Sequence, residues 1–216
     1  MIKQLKNCTP IFEAIVRHDL EELKSAFVKF PDKIEIYTPF GAGTWLHFAA
    51  NQGAFEIVKY LLEHGFEINE GDKDDGIRPL DSACSGGHYE VAKYLLDHGA
   101  VMDVDKSIRN PLFGTITGSV HCNASHPLPT GEAPQIVRLL LERGIDSRKR
   151  YNTRTMKQMD AVAFAMMMGA HDLAHIIALH HENGDEARTR AAMDEGWRIA
   201  GLNTVPVPKG EQVKPS

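Results

Sequence analysis

LHFAANQGAFEIVKYLLEHG, from Leu46 to Gly65, returns thirty-four residues later as LDSACSGGHYEVAKYLLDHG, from Leu80 to Gly99. Most of the aligned positions are identical or conservatively changed, and no gap is needed. Self-similarity at a fixed period of this length is the signature of stacked supersecondary units, each unable to bury its faces alone.

Within the unit the apolar spacing is helical. Leu46, Ala49 and Ala50 fall three and four residues apart, on one face of a first helix. Gly53 then ends it, because glycine tolerates the left-handed geometry common just past a helix C-terminus. Ile57, Val58, Leu61 and Leu62 make a second stripe that stops at His64-Gly65. Alanine on the first helix and leucine on the second has a packing logic. Small residues let neighbouring first helices approach closely, and larger ones fill the wider side, so that the stack curves. The polar segment Ile68–Arg78 suits an extended hairpin-like loop leading to the next unit.

Three weaker copies flank the pair. Thr9–Phe27 precedes it and Asp160–Leu179 follows. The remaining copy is split between Asn110–Gly118 and Pro134–Gly144, with an insertion at Ser119–Pro134. The strings T-W-L-H-F-A-A (Thr44–Ala50), R-P-L-D-S-A (Arg78–Ala83) and T-P-I-F-E-A (Thr9–Ala14) are similar to the T-P-L-H-x-A signature of ankyrin repeats, and Glu56–Gly65 resembles its second half. The departures are Trp45 for the usual proline, and Asp81 and Phe113 for the signature histidine. The fold class expected is all-α, an ankyrin-type helical-hairpin solenoid of about five repeats with extended connecting loops and a C-terminal capping helix. Its bounds are 1–181, with the insertion at 119–134. A C-terminal helix follows at 182–203, with Met193, Trp197 and Ala200 along one side. The proline-rich stretch 204–216 reads as a flexible tail.

Charge and composition narrow the class of function. The net charge is −5, with 43% hydrophobic and 25% charged residues, which gives no general reason to bind nucleic acid or anionic lipid. No apolar run approaches a membrane span and the N-terminus lacks the pattern of an export signal. The odd set Cys8, Cys84 and Cys122 reads as reduced thiols, so a cytoplasmic, monomeric protein is expected.

The eleven histidines raise metal and acid–base chemistry, but most have architectural readings. In the resemblance His47 hydrogen-bonds loop backbone of neighbouring repeats. His64 and His98 recur at one phase, before the helix-ending glycine. His171 and His175 have ligand-like spacing but no carboxylate pair beside them, and His121, Cys122 and His126 lack a fourth ligand. No phosphate-binding glycine loop and no nucleophile elbow is present. No enzyme activity, metal or cofactor is expected.

Function then falls to the surface. The resemblance implies a concave face of loops and first helices that binds a protein. Mapping its variable positions gives Phe40, Asn51 and Gln52 from the second unit, and Asp74, Asp75, Ile77 and Ser85 from the third. The fourth supplies Lys106, Ser107, Arg109 and Thr117, and the fifth Lys157, Met159 and Met167. His121 and His126 join them from the insertion, since long loops in compact repeats are often functional. The fingers are polarised, acidic at Glu67, Glu70, Asp72, Asp74, Asp75, Asp103 and Asp105, and basic at Arg148, Lys149, Arg150, Arg154 and Lys157. Such an arrangement orients a partner of complementary charge. Finally, Asn110–Ile116, Ile136–Gly144 and Arg150–Ala165 resemble small bacterial ankyrin proteins encoded beside toxins. The resemblance implies an immunity protein that neutralises a cognate toxin or secreted effector. A general adaptor or regulatory scaffold is the competing expectation.

Overall fold

A computed structural model describes residues 2–30, 43–72, 76–102, 110–120, 132–152 and 158–201. Eleven helices are present among them, and no strand. They pair in chain order: α1 (Ile2–Val16) with α2 (Leu20–Lys29), α3 (Trp45–Gln52) with α4 (Phe55–Glu63), and α5 (Pro79–Gly86) with α6 (Tyr89–Asp97). Next come α7 (Pro111–Val120) with α8 (Glu132–Glu142), α9 (Ala161–Met168) with α10 (His171–His181), and finally α11 (Glu186–Ile199). The first helices form one row, each touching the next from α1 to α9, and α2, α4, α6, α8 and α10 form the second row behind it.

The two rows differ as their residues dictate. Ala49, Ala50, Ala83, Ala161 and Ala165 are buried in the first row, and Ile57, Leu61, Leu95, Ile136 and Leu140 in the second. Glycine brings the first row closer still. A Cβ on Gly86 would lie 2.4 Å from the carbonyl oxygen of Asn51, and one on Gly118 would lie 2.2 Å from that of Ser85. Both distances are far inside contact, so α3, α5 and α7 approach backbone to backbone at these two points.

The first helices α3, α5, α7 and α9 each begin with a locally satisfied N-terminus. Asn110 Oδ1 accepts from the amides of Leu112 and Phe113, and Asp160 Oδ1 from that of Ala163. In α3 and α5 the bond runs the other way, from the cap amide to the side chain three residues on. Thr44 N donates to His47 Nδ1 at 3.0 Å, and Arg78 N to Asp81 Oδ2 at 2.8 Å. The glycines that follow α3, α5 and α9 are left-handed, with φ of 70°, 76° and 80° at Gly53, Gly87 and Gly169.

The finger between α4 and α5 closes as a hairpin through Asp72 and Ile77: Asp72 N donates to Ile77 O, and Ile77 N to Asp72 Oδ1. An antiparallel bridge between Tyr151 and Met159 does the same before α9. Neighbouring units are tied across these loops and turns by histidine. His47 Nε2 donates to Ile77 O at 3.0 Å. His18 and His88, one from each adjacent unit, reach the end of α3 at Gln52 O and Asn51 O, at 2.9 and 2.8 Å. His64 and His98 fold back on their own helices, bonding Tyr60 O and Tyr94 O and lying against those tyrosine rings.

Two bounds depart from the sequence expectation. The first helix runs from Ile2, ahead of the Thr9 start of the repeat copy, and carries Pro10 inside. The insertion is shorter than its 119–134 bounds, because α7 continues to Val120 and α8 begins at Glu132. Residues 121–131, with His121, Cys122 and His126, lie outside the described residues, as does 204–216. At the other end α11 packs on α9 and α10. Its Gly196 sits against Val162 and Ala163, and Met193 and Trp197 lie on the core. Among the described residues no helix is long and apolar enough to cross a membrane.

Candidate protein-binding face

The exposed face of the first-helix row is set by the side chains that follow the signature histidine position. At two junctions an aromatic ring at that position stacks on a ring of the next helix. Phe12 of α1 lies on Phe48 of α3, with centroids 4.7 Å apart, and Phe113 of α7 lies on Phe164 of α9 at 4.5 Å. The register that supplies Phe48 and Phe164 holds Ser82 in α5 and Gly114 in α7. Among the described residues no ring is stacked over Asp81, and they leave an opening there.

The opening is a pocket of ≈ 420 Å³ lined by Asn51, Ile77, Asp81, Ser82, Ser85, Asn110, Phe113, Gly114, Thr117 and Phe164. A shallower recess of ≈ 200 Å³ adjoins it, lined by His47, Phe48, Asp72 and the shared Asn51, Ile77 and Ser82. Its floor is firmly held. Asn110, buried as the cap of α7, donates from Nδ2 to the Tyr151 hydroxyl, whose ring stands edge-on to Phe113. Asn51 Nδ2 donates to Ser82 O, joining α3 to α5 at the rim.

Asn51, Ile77, Ser85 and Thr117, four of the expected contact residues drawn from three units, come together in this one pocket. Gln52 lies beside it, its amide on Asn51 Oδ1. Met167 is half-buried on α9, outside the lining. Met159 needs correction as a contact residue: it is wholly buried, with its backbone held in the bridge to Tyr151, so its side chain meets no partner. Phe40, Asp74, Asp75, Lys106, Ser107, Arg109, His121, His126 and Lys157 fall outside the described residues. Ser82, Asn110, Gly114 and Phe164 were not expected. The signal for them was the loss of an aromatic side chain at one register of the repeat.

The charged fingers are only partly free to reach outward. Arg148 donates from Nη2 to His181 O at 2.6 Å, tying the basic stretch to the end of α10, while Ser147 Oγ and His181 Nε2 meet at 2.7 Å. The titratable groups near the row are arranged for architecture. Burial holds His47, His88 and His181 below the ordinary imidazole value, so the rings stand neutral at neutral pH. Burial pushes the Cys84 thiol far up, well away from a reactive thiolate. His171 lies against Trp197, and His175 pairs with Glu186 at 3.2 Å. Among the described residues no group of three or more His, Cys, Asp or Glu is placed to hold a metal ion.

Ankyrin repeats, in three copies, match residues 3–108, just under half of the chain. No curated protein sequence matches it. Such repeats are in general non-enzymatic modules that present an extended surface to other proteins. The matched span runs from α1 to beyond α6, and the pairs α7–α8 and α9–α10 keep the same two-row packing. Residues 3–108 thus match ankyrin repeats, and the helical pairs that follow keep the same packing, so that the described helices form one all-α helical-hairpin solenoid.

Proposed function

We propose that this chain is a non-catalytic module that holds a protein partner along its first-helix face and fingers. We further propose that the partner is a toxin or secreted effector which it neutralises in the bacterial cytoplasm, the chain acting as a monomer. The observation that carries the binding reading is the convergence of Asn51, Ile77, Ser85 and Thr117 on one pocket at the middle of the row. Contacts that matter energetically cluster near the centre of an interface, in pockets that exclude water. The neutral buried histidines and the inert Cys84 support the absence of catalysis. The toxin reading is supported by the resemblance of 110–116, 136–144 and 150–165 to small ankyrin proteins encoded beside toxins.

Co-expression with the products of neighbouring toxin-like genes tests the proposal. The expected result is a co-purifying complex and restored growth of the host cell. Ser85→Arg, which fills the pocket mouth with a charge, is expected to abolish capture while the far-ultraviolet circular dichroism stays unchanged. Reversing charge at Asp74 and Asp75 is expected to weaken capture with the melting temperature intact, since surface changes are near neutral for folding. Capture without protection would favour the adaptor reading. Parallel loss of folding and capture in both variants would show that these positions are architecture.

A further inference from the structure

We propose that Asn183-Gly184, in the turn between α10 and α11, is a site of spontaneous deamidation that the docked C-terminal helix holds closed. Of the eight asparagines in the chain, Asn183 alone is followed by glycine. Deamidation needs the backbone nitrogen of the following residue to reach the asparagine side-chain carbon, and a residue without Cβ obstructs that approach least. Both residues are exposed, and the Asn183 side chain makes no hydrogen bond among the described residues. A Cβ on Gly184 would meet nothing within 4 Å, so the turn is open to solvent on that side.

The folded backbone withholds the one group the reaction requires. Asn183 and Gly184 are both left-handed, with φ of 51° and 83°. The Gly184 N–H is thereby folded back along α10, where it donates to Leu179 O at 2.9 Å, and Asp185 N donates to Glu182 O at 3.0 Å. The attacking nitrogen has to shed the proton that this bond holds. The Asn183 Cα–C bond also has to rotate to bring Cγ over the peptide plane. Both changes require the turn to open.

What keeps the turn shut is α11. Asp185 caps that helix through the amides of Ala187 and Arg188, Thr189 Oγ1 donates to Asp185 O, and His175 of α10 meets Glu186 at 3.2 Å. Further along, Gly196 lies against Val162 and Ala163 of α9. The row of described helices ends at α11, packed on α9 and α10, and terminal elements open at the least free energy.

In the opened turn the Gly184 nitrogen, its proton lost to water, bonds to Asn183 Cγ, and the side-chain nitrogen leaves as ammonia. Water then opens the resulting succinimide at either carbonyl. The product is aspartate or, with the chain rerouted through the side chain, isoaspartate; nothing is oxidised or reduced. Either product sets a carboxylate at the C-terminus of α10, next to Glu182, where the helix dipole opposes it. Isoaspartate also adds a backbone methylene, which shifts the register of the bonds to Leu179 O and Glu182 O. Conversion therefore leaves α11 less firmly docked than before.

The test incubates the full chain at mildly alkaline pH, folded and in urea, and follows the peptide holding Asn183 by mass spectrometry, with isoaspartate identified by electron-transfer fragmentation. Asn183 is expected to convert first among the asparagines in urea, and at least about tenfold more slowly in the folded chain. Gly196→Val, whose side chain pushes α11 off Val162 and Ala163, is expected to raise the folded rate about fivefold or more with the rate in urea unchanged. Should that variant fail to fold by circular dichroism, Asp185→Ala, which removes the cap of α11, carries the same expectation. Asn183→Asp, the product mimic, is expected to speed amide exchange in α11 about threefold or more while α3 and α4 keep their protection. Equal rates folded and in urea, a faster asparagine elsewhere in urea, an unaccelerated folded variant, or unchanged exchange in Asn183→Asp overturns the proposal.

Discussion

The junction between α7 and α9 and the junction between α5 and α7 are built on the same backbone plan and present opposite surfaces. At the first, Phe113 is covered by Phe164; at the second, Asp81 faces Gly114 and the surface is hollow. The α1–α3 junction, with Phe12 on Phe48, matches the closed kind. Helix packing alone therefore does not decide where the row is open. One register does, through the presence or absence of a ring. The signature position shows the same division. His47 bonds both its own cap and the next finger at Ile77 O, whereas Asp81 bonds the cap amide of Arg78 and borders the cavity.

Two glycines one helical turn apart make the sharpest way to break this comparison. Gly118→Ala would drive a Cβ to 2.2 Å from Ser85 O, and the α5–α7 approach has to widen. Overpacking of this kind costs about 1–3 kcal/mol or more, to be measured by urea denaturation as a fall in the midpoint. His47→Ala comes next. It leaves the Thr44 amide and the Ile77 carbonyl without their ring partner inside a buried site, at a cost of about 1–3 kcal/mol. Asp81→Ala, at the same register in the open junction, is expected to cost less, and equal losses would erase the division drawn above.

The third effect is on pH. Burial lowers the pKa of His47, His88 and His181 in the folded chain, so the unfolded chain binds these protons more readily. Their contribution is complete above the ordinary imidazole value and is lost as pH falls through it towards the folded values. Thermal melts at about pH 5 and pH 8 are expected to show lower stability in acid, with a reduced difference in His47→Gln. A melting temperature that rises on acidification would contradict the assigned bonds. The smallest effect is Gly114→Ala, placed against open space and ordinary contacts. Relative to Gly118→Ala its sign reverses, to a gain of about 0.5–1 kcal/mol from helix propensity. A loss comparable to that of Gly118→Ala would mean that Gly114 is needed for packing, and that the cavity is a by-product.

The repeat was legible in the sequence because its causes are local. Alanine and leucine stripes, terminal glycines and histidines at fixed phase each state a requirement of one helix or one turn. The site was legible only in part. Asn51, Ile77, Ser85 and Thr117 could be placed by phase, since equivalent positions of consecutive units share a face. The cavity itself is a relation between units: it needs Asp81 on one helix, a missing side chain at Gly114 on the next, and rings on the helix after that. Periodicity aligns such positions in sequence but does not say which residue lies over which. Met159 shows the converse error. It shares the register of Ile77, but the bridge to Tyr151 fixes the backbone before α9 and the side chain is enclosed.

The histidines at the end of α3 carry a consequence for how the chain comes apart. His18 from the unit before and His88 from the unit after both terminate on carbonyls of that one helix, while His47 within it reaches forward to Ile77. In a linear array whose stability is a sum of units and nearest-neighbour interfaces, the second unit is coupled on both sides by polar bonds as well as by packing. Opening it releases two interfaces together, whereas fraying from α1 or α11 releases one. Amides of α3 and α4 should thus exchange with solvent only through the global event, marking the second unit as the last part of the array to let go.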